Sequence, residues 1–171
     1  METKKEGCSN SNGPSEAIER FITKHHVLTL STSVNDEVWC AHCFYVYDAE
    51  SVSFFFNSSA ETLHAQQMSH NSFVAASIVL ESSKVGMLRG LQMQGLVNLP
   101  EGEELARAKS LYLRRFPIAR MAELMIWQLK VTHMKYTDNR LGFGKKEEWN
   151  EMEDFVSLLN RLSVLGKEEA E

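Results

Sequence analysis

Ser58-Ser59-Ala60-Glu61-Thr62-Leu63-His64 sets hydroxyls, a carboxylate and an imidazole where an aromatic run ends and a helical pattern begins. A helix start presents unpaired N–H groups and the positive end of its dipole, so it accepts an anion such as a phosphate. Thr62 and His64 can add a hydroxyl and an imidazole to that site. The plainer alternative is a capping box in which Ser58 and Glu61 satisfy each other, with Glu61 repelling an anion. A second group is Arg89, Gln92 and Gln94, on a strand pattern with Leu91, Met93 and Val97. Alternation puts Leu91 and Met93 on one face with Arg89 and the two amides on the other, toward solvent or the hydrogen-bonding edge of a heteroaromatic ring.

Trp39-Cys40-Ala41-His42-Cys43 contains a CxxC around a histidine, a spacing used for metals and for redox chemistry. On a strand, however, Cys40 and Cys43 diverge to opposite faces, and no second cysteine pair completes a zinc site, so no metal is expected. Lys145 and Lys146 follow Leu141-Gly142-Phe143-Gly144, either a glycine-hinged loop that carries cations over a ligand or an ordinary charged loop. His25-His26 at a helix-to-strand junction is read as structural. GxSxG, HExxH, Walker and GxGxxG patterns do not occur, which leaves nucleophile-elbow, zincin and common nucleotide-fold readings without support.

The elements that must position these residues are mostly strands. Ser15 caps a helix over 16–24 in which Ile18 with Ile22 and Ala17 with Phe21 stand at i,i+4 spacing. Three strands follow as a meander, 27–32, 38–47 and 52–56, separated by Val34-Asn35-Asp36-Glu37 and Asp48-Ala49-Glu50. A short helix ends near His70, strands cover 73–81 and 88–99, a helix covers 101–116 and a sixth strand covers 126–136. The spacing of Met152, Val156, Leu159 and Leu162 predicts a closing amphipathic helix over 149–165. Parallel sheets need a crossover after almost every strand, so this order predicts an α+β fold, a small six-stranded antiparallel barrel with flanking helices.

At 171 residues and 43% hydrophobic the chain fits one globular domain with a sizeable core. Residues 1–14 read as a disordered polar tail, 15–146 as the domain, and 147–171 as the C-terminal helix and its tail. A net charge of −5 argues against nucleic acid as a partner. No stretch reaches the roughly 18 apolar residues of a membrane span and no secretory signal is visible, so a cytoplasmic protein is expected, its three cysteines reduced.

Several words occur together in this order: Trp39-Cys40-Ala41 with Phe44-Tyr45, Thr62-Leu63-His64-Ala65, Arg89-Gly90-Leu91-Gln92, Arg115-Phe116-Pro117-Ile118-Ala119-Arg120, and Tyr136-Thr137-Asp138-Asn139 through Leu141-Gly142-Phe143-Gly144-Lys145-Lys146. Over residues 15–150 the chain resembles the pyridoxamine 5′-phosphate oxidase-like FMN-binding split barrels, and within them a small bacterial branch without an assigned activity. The resemblance implies a six-stranded split barrel that forms a homodimer, with FMN in clefts between the subunits. By position, the strand carrying Cys40, Ala41, His42 and Cys43 would run along the isoalloxazine, with Phe55 and Phe56 beside it. Thr62 and His64 would meet the phosphate, Gln92 and Arg89 would reach the cleft from the next strand, and Lys145 is the cation the glycine-hinged loop would contribute.

Two departures change the expectation. Family oxidases usually carry a basic pair where this chain has Leu63 and His64, so phosphate binding should depend on pH. The Arg-Leu-His-x-Arg type of ending that holds the vitamin substrate is not matched by 141–146, and pyridoxamine phosphate oxidation is not expected. The leading reading is an FMN-dependent oxidoreductase acting on a small molecule. A non-catalytic flavin-binding or sensing module is the alternative. Haem binding or degradation is a third, although no histidine follows His133 to supply a C-terminal ligand.

Overall fold

The computed structural model describes residues 13–141 and 146–151; residues 1–12 of the tail, Lys145, and 152–165 of the closing helix lie outside them. Helix α1 (Glu16–Lys24) starts at Ser15, whose hydroxyl accepts the Ile18 amide at 3.4 Å. It buries Ile18, Phe21 and Ile22, while Ala17 stays exposed. Strands β1 (Val27–Val34) and β2 (Glu37–Asp48) form a hairpin through Asn35 and Asp36, both at positive φ (51° and 66°). Asn and Asp tolerate that conformation, which a two-residue turn between right-twisted strands demands. Then come β3 (Ser53–Asn57), α2 (Leu63–His70), β4 (Phe73–Leu80), β5 (Arg89–Asn98), α3 (Gly102–Arg115), β6 (Ile126–Asp138) and β7 (Lys146–Asn150).

The strands follow the order β3-β2-β1-β4-β5-β6, and β3 also pairs with β6, which closes an antiparallel six-stranded barrel. This is the split-barrel architecture that the sequence predicts. Beyond the closed ring, β7 pairs with residues 133–137 of β6. Trp149 therefore lies in a strand, opposite Met134, and not at the start of a helix as its spacing predicts. Half of β6 runs past the end of β3 and leaves an edge open, and pairing that edge satisfies the backbone of 146–150.

Leu28, Leu30, Tyr45, Phe54, Phe56, Ile78, Leu91 and Leu129 fill the barrel and are at most 2% exposed. Each such side chain contributes roughly 1.5–3 kcal/mol on burial. α1 closes one end, where the Tyr45 hydroxyl donates to the Ile22 carbonyl at 2.7 Å. Val46, Phe55 and Ile126 form a second cluster beneath Ala108 and Tyr112 of α3. Among the described residues no helix is long and apolar enough to cross a membrane.

A bulge at Gln94/Gly95 re-registers β5 against β6, and Gly95 lies where the Lys130 backbone crosses it. A Cβ at that position would collide with the Lys130 carbonyl and approach Leu129 Cδ1 to 2.8 Å. Gly95→Ala is expected to lower stability by about 3 kcal/mol, because backbone cannot yield as a side chain can. Urea unfolding followed by tryptophan fluorescence checks this, with the midpoint falling and the slope unchanged.

Candidate functional site

Where β3 parts from β2, two residues past the Tyr45–Phe56 pair, the chain turns into α2 at Ser58. Three bonds fix that turn against the start of β6: Ser58 N–H donates to the Met125 carbonyl (3.1 Å), Met125 N–H to Asn57 Oδ1 (2.8 Å), and Trp127 Nε1–H to the Ser58 carbonyl (3.2 Å). α2 is held on the sheet by buried Gln67, whose Oε1 accepts the Thr32 hydroxyl and whose Nε2 donates to the Glu37 carbonyl. Asn71 adds a bond from its side-chain amide to the Ser33 carbonyl at 3.0 Å.

Within this frame Ser58 Oγ shares hydrogen bonds with His64 Nε2 (2.6 Å) and Thr62 Oγ1 (3.0 Å), and Thr62 Oγ1 lies 3.3 Å from His64 Nε2. The capping box expected between Ser58 and Glu61 is not formed. Thr62 is the N-cap, accepting the Ala65 amide at 3.3 Å, and Glu61 is exposed. The helix therefore begins five residues after Ser58, which frees the Ser58 hydroxyl to meet the imidazole. Burial pushes the His64 pKa below its ordinary 6.5, so near neutral pH the ring is uncharged. Two hydroxyls and an imidazole thus converge beside the N-terminus of α2, a group able to meet an anion.

The outer face of the barrel carries the remaining candidates. Register aligns Cys40, Ser31, Ala75, Gln94 and His133 in one row across five strands, and His42, Thr29, Ser77, Gln92 and Lys135 in the next. Small side chains in the middle of both rows make two adjoining hollows of about 530 and 430 Å³, one by Trp39 and Cys40, the other by Gln92 and Lys135. His42 Nδ1 shares a hydrogen bond with Thr29 (3.2 Å), and Cys40 with Ser31 (3.4 Å).

The expected site residues divide between inside and outside. Cys40, His42, Gln92 and Gln94 face outward, as alternation predicts. Cys43 faces the core, Ala41 is half-buried against it, and Phe55 and Phe56 are enclosed at 1% and 0% exposure, so none of these four borders the hollows. Arg89 lies on the inner face of β5 and turns toward α1, away from Gln92. Thr29, Ser31, Ala75 and Ser77 were not singled out by sequence, although small residues at every second position of β1 and β4 are the signal.

No family model matches the chain. Over 133 residues, 78% of the chain, it is 41% identical to a UPF0306 protein of Klebsiella pneumoniae and covers 90% of that protein. A heme binding protein from Mycobacterium smegmatis superposes with a TM-score of 0.67 over 84% of this chain and 61% of that one, at 21% identity. An FAD-binding protein from Mesorhizobium loti gives 0.57 over 71% and 92% of the two chains, at 13% identity.

Burial alone raises the Cys43 thiol pKa to about 11, so it holds little thiolate at ordinary pH. Iodoacetamide at pH 8 should leave Cys43 unmodified in the folded protein and alkylate it in denaturant. Peptide mass spectrometry reads this directly, and should find no Cys40–Cys43 disulfide, since the two sulfurs face opposite sides of β2.

Proposed function

Since the chain belongs to the UPF0306 family and has the split-barrel fold, we propose that it is a homodimeric FMN-binding protein that oxidises or reduces a small molecule. The observation that carries this reading is the convergence of Ser58, Thr62 and His64 at the start of α2, the position the family resemblance gives to the FMN phosphate. The side chains fit a phosphate ester: they offer two hydroxyls and an imidazole beside a helix start, without a fixed cation. Ser58 would release His64, and Thr62 would release the Ser59 carbonyl to which its hydroxyl donates at 2.9 Å, for both to donate to the phosphate oxygens, and Gln92 or Gln94 would offer amide hydrogen bonds to a flavin ring on the outer face.

When bound, FMN supplies hydride or electron transfer, and the protein supplies position and exclusion of water. Completing the site falls to a second copy of the chain. Val38, Phe44, Phe73 and Val79 on the outer face stand 78%, 54%, 71% and 60% exposed, an apolar rim around the small-residue rows that a partner subunit would cover. Light scattering should return a dimer at micromolar concentration. Phe73→Glu should shift it toward monomer, because a carboxylate would then have to be desolvated at the contact. A monomer in the unaltered protein with FMN bound would overturn the dimer.

His64 makes the cofactor reading quantitative. A phosphate dianion beside the ring favours its protonated form, so the lowered pKa of the free protein should rise on binding, and binding takes up a proton between the two values. Affinity therefore falls as pH rises through the bound-state pKa. Above about pH 7 the phosphate no longer titrates, its second pKa being about 6. Titration calorimetry with FMN from pH 6.5 to 9 should show that slope. His64→Gln should flatten it and weaken binding roughly tenfold or more at pH 6.5, the worth of a charge-assisted hydrogen bond. Equal affinities and slopes would remove His64 from the site.

The absorbance spectrum of freshly purified protein separates a flavin from a haem. A reduced nicotinamide that bleaches bound FMN faster than free FMN supports an oxidoreductase, and equal rates favour a flavin-storing or sensing module.

A further inference from the structure

At the end of the barrel closed by α1 lies a cavity of about 440 Å³, floored by the rings of Phe21 and Tyr136, whose centroids are 5.1 Å apart. Among the described residues, the cationic side chains of Arg20, Lys24, Arg89, Arg140 and Lys146 line it, with the carboxylates of Asp138 and Glu147. This is a strong local excess of positive charge in a chain whose net charge is −5.

Asp138 offsets one cation of that excess, Arg140, and leaves Arg20, Lys24, Arg89 and Lys146 against Glu147. Arg140 Nη2 and Nε donate to its two oxygens at 2.6 and 3.0 Å, and the Tyr136 hydroxyl donates at 3.3 Å. The Arg140 bonds hold the Asp138 carboxyl down at about 2. Arg20 has an exposed partner on its own helix, Glu16 at 3.8 Å. Arg89 differs: its guanidinium meets the Tyr136 hydroxyl and its carbon stands 5.9 Å from the Phe21 ring centroid, while its Nε–H alone is buried with no hydrogen-bond partner among the described residues. A guanidinium donor removed from water and left without an acceptor is costly, and it is the natural mate of a phosphate oxygen.

We infer that this cavity binds a small organic phosphate carrying a flat apolar ring. The phosphate accepts from Arg89 Nε–H amid the surrounding cations, and the ring rests on Phe21 and Tyr136. The cavity has the size of a small-molecule site, larger than inorganic phosphate alone would need, and its apolar floor gives the ring a reason to bind. Arg89 and Gln92 face opposite sides of β5, so this site is separate from the outer face and does not depend on flavin.

Phenyl phosphate, phenol and inorganic phosphate, each titrated into the full-length ¹⁵N-labelled protein, test the proposal. Phenyl phosphate should saturate at one per chain, move amides of α1 and of the first residues of β5, and bind at least tenfold more tightly than either fragment. Arg89→Gln should weaken it tenfold or more. Arg20→Glu, on the exposed side of α1, should weaken it several-fold without changing thermal unfolding, which keeps the test open if loss of Arg89 disturbs the fold. Saturating FMN should leave the phenyl phosphate affinity unchanged. Shifts that do not saturate, that are indifferent to both substitutions, or that FMN abolishes would overturn the proposal, the last by showing one shared site. FMN binding that fails while phenyl phosphate binds as described would overturn only the flavin reading.

Discussion

Closure of the barrel rests on β3, a five-residue strand that pairs on one side with the end of β2 and on the other with the start of β6. Its neighbours run to 12 and 13 residues, so β3 cannot cover them. The mismatch opens the ring at two places. At Glu37, in the part of β2 that β3 leaves unpaired, α2 meets the strand through the Gln67 bond to the Glu37 carbonyl. Along 133–137 the free side of β6 is met by β7. Backbone groups left bare at either place would have to find other partners.

Both proposed sites sit at these openings. Ser58, Thr62 and His64 stand where the chain leaves β3 to reach the first, and Arg140, Lys146 and Glu147 come from the segment that reaches the second. A closed barrel of equal strands would fill its interior with side chains and keep no recess for polar groups. Here the short strand supplies the recesses, and the tightly packed interior, with Tyr45, Phe54 and Phe56 fully enclosed, keeps their walls in place.

Much of this was legible in the sequence because it is local. Period-2 alternation placed Leu91 and Met93 inward and Gln92 and Gln94 outward, and the same rule separated Cys40 from Cys43. Asn35-Asp36 announced its turn, and Ser15 its cap. What stayed hidden depends on contacts between distant residues. Ser58 and Glu61 have capping-box spacing, yet the bonds from Ser58 to Met125 and Trp127 hold Ser58 against β6, and a turn closed by the Thr62 amide on the Ser59 carbonyl precedes the helix. Trp149 reads as helical until the unpaired length of β6 is known. The cationic cavity draws on residues from Arg20 to Glu147, so no window of sequence contains it.

β7 also decides how copies of this chain can meet. It is the last strand of the sheet among the described residues, and an unpaired strand edge is a template for another chain. Lys146, Glu147 and Glu148 crowd that edge with exposed charge of both signs. An incoming strand would have to desolvate them, so growth of the sheet from one molecule into the next is disfavoured. Edge-to-edge contact, which could continue from chain to chain into a fibre, is the mode of self-association that this charge opposes.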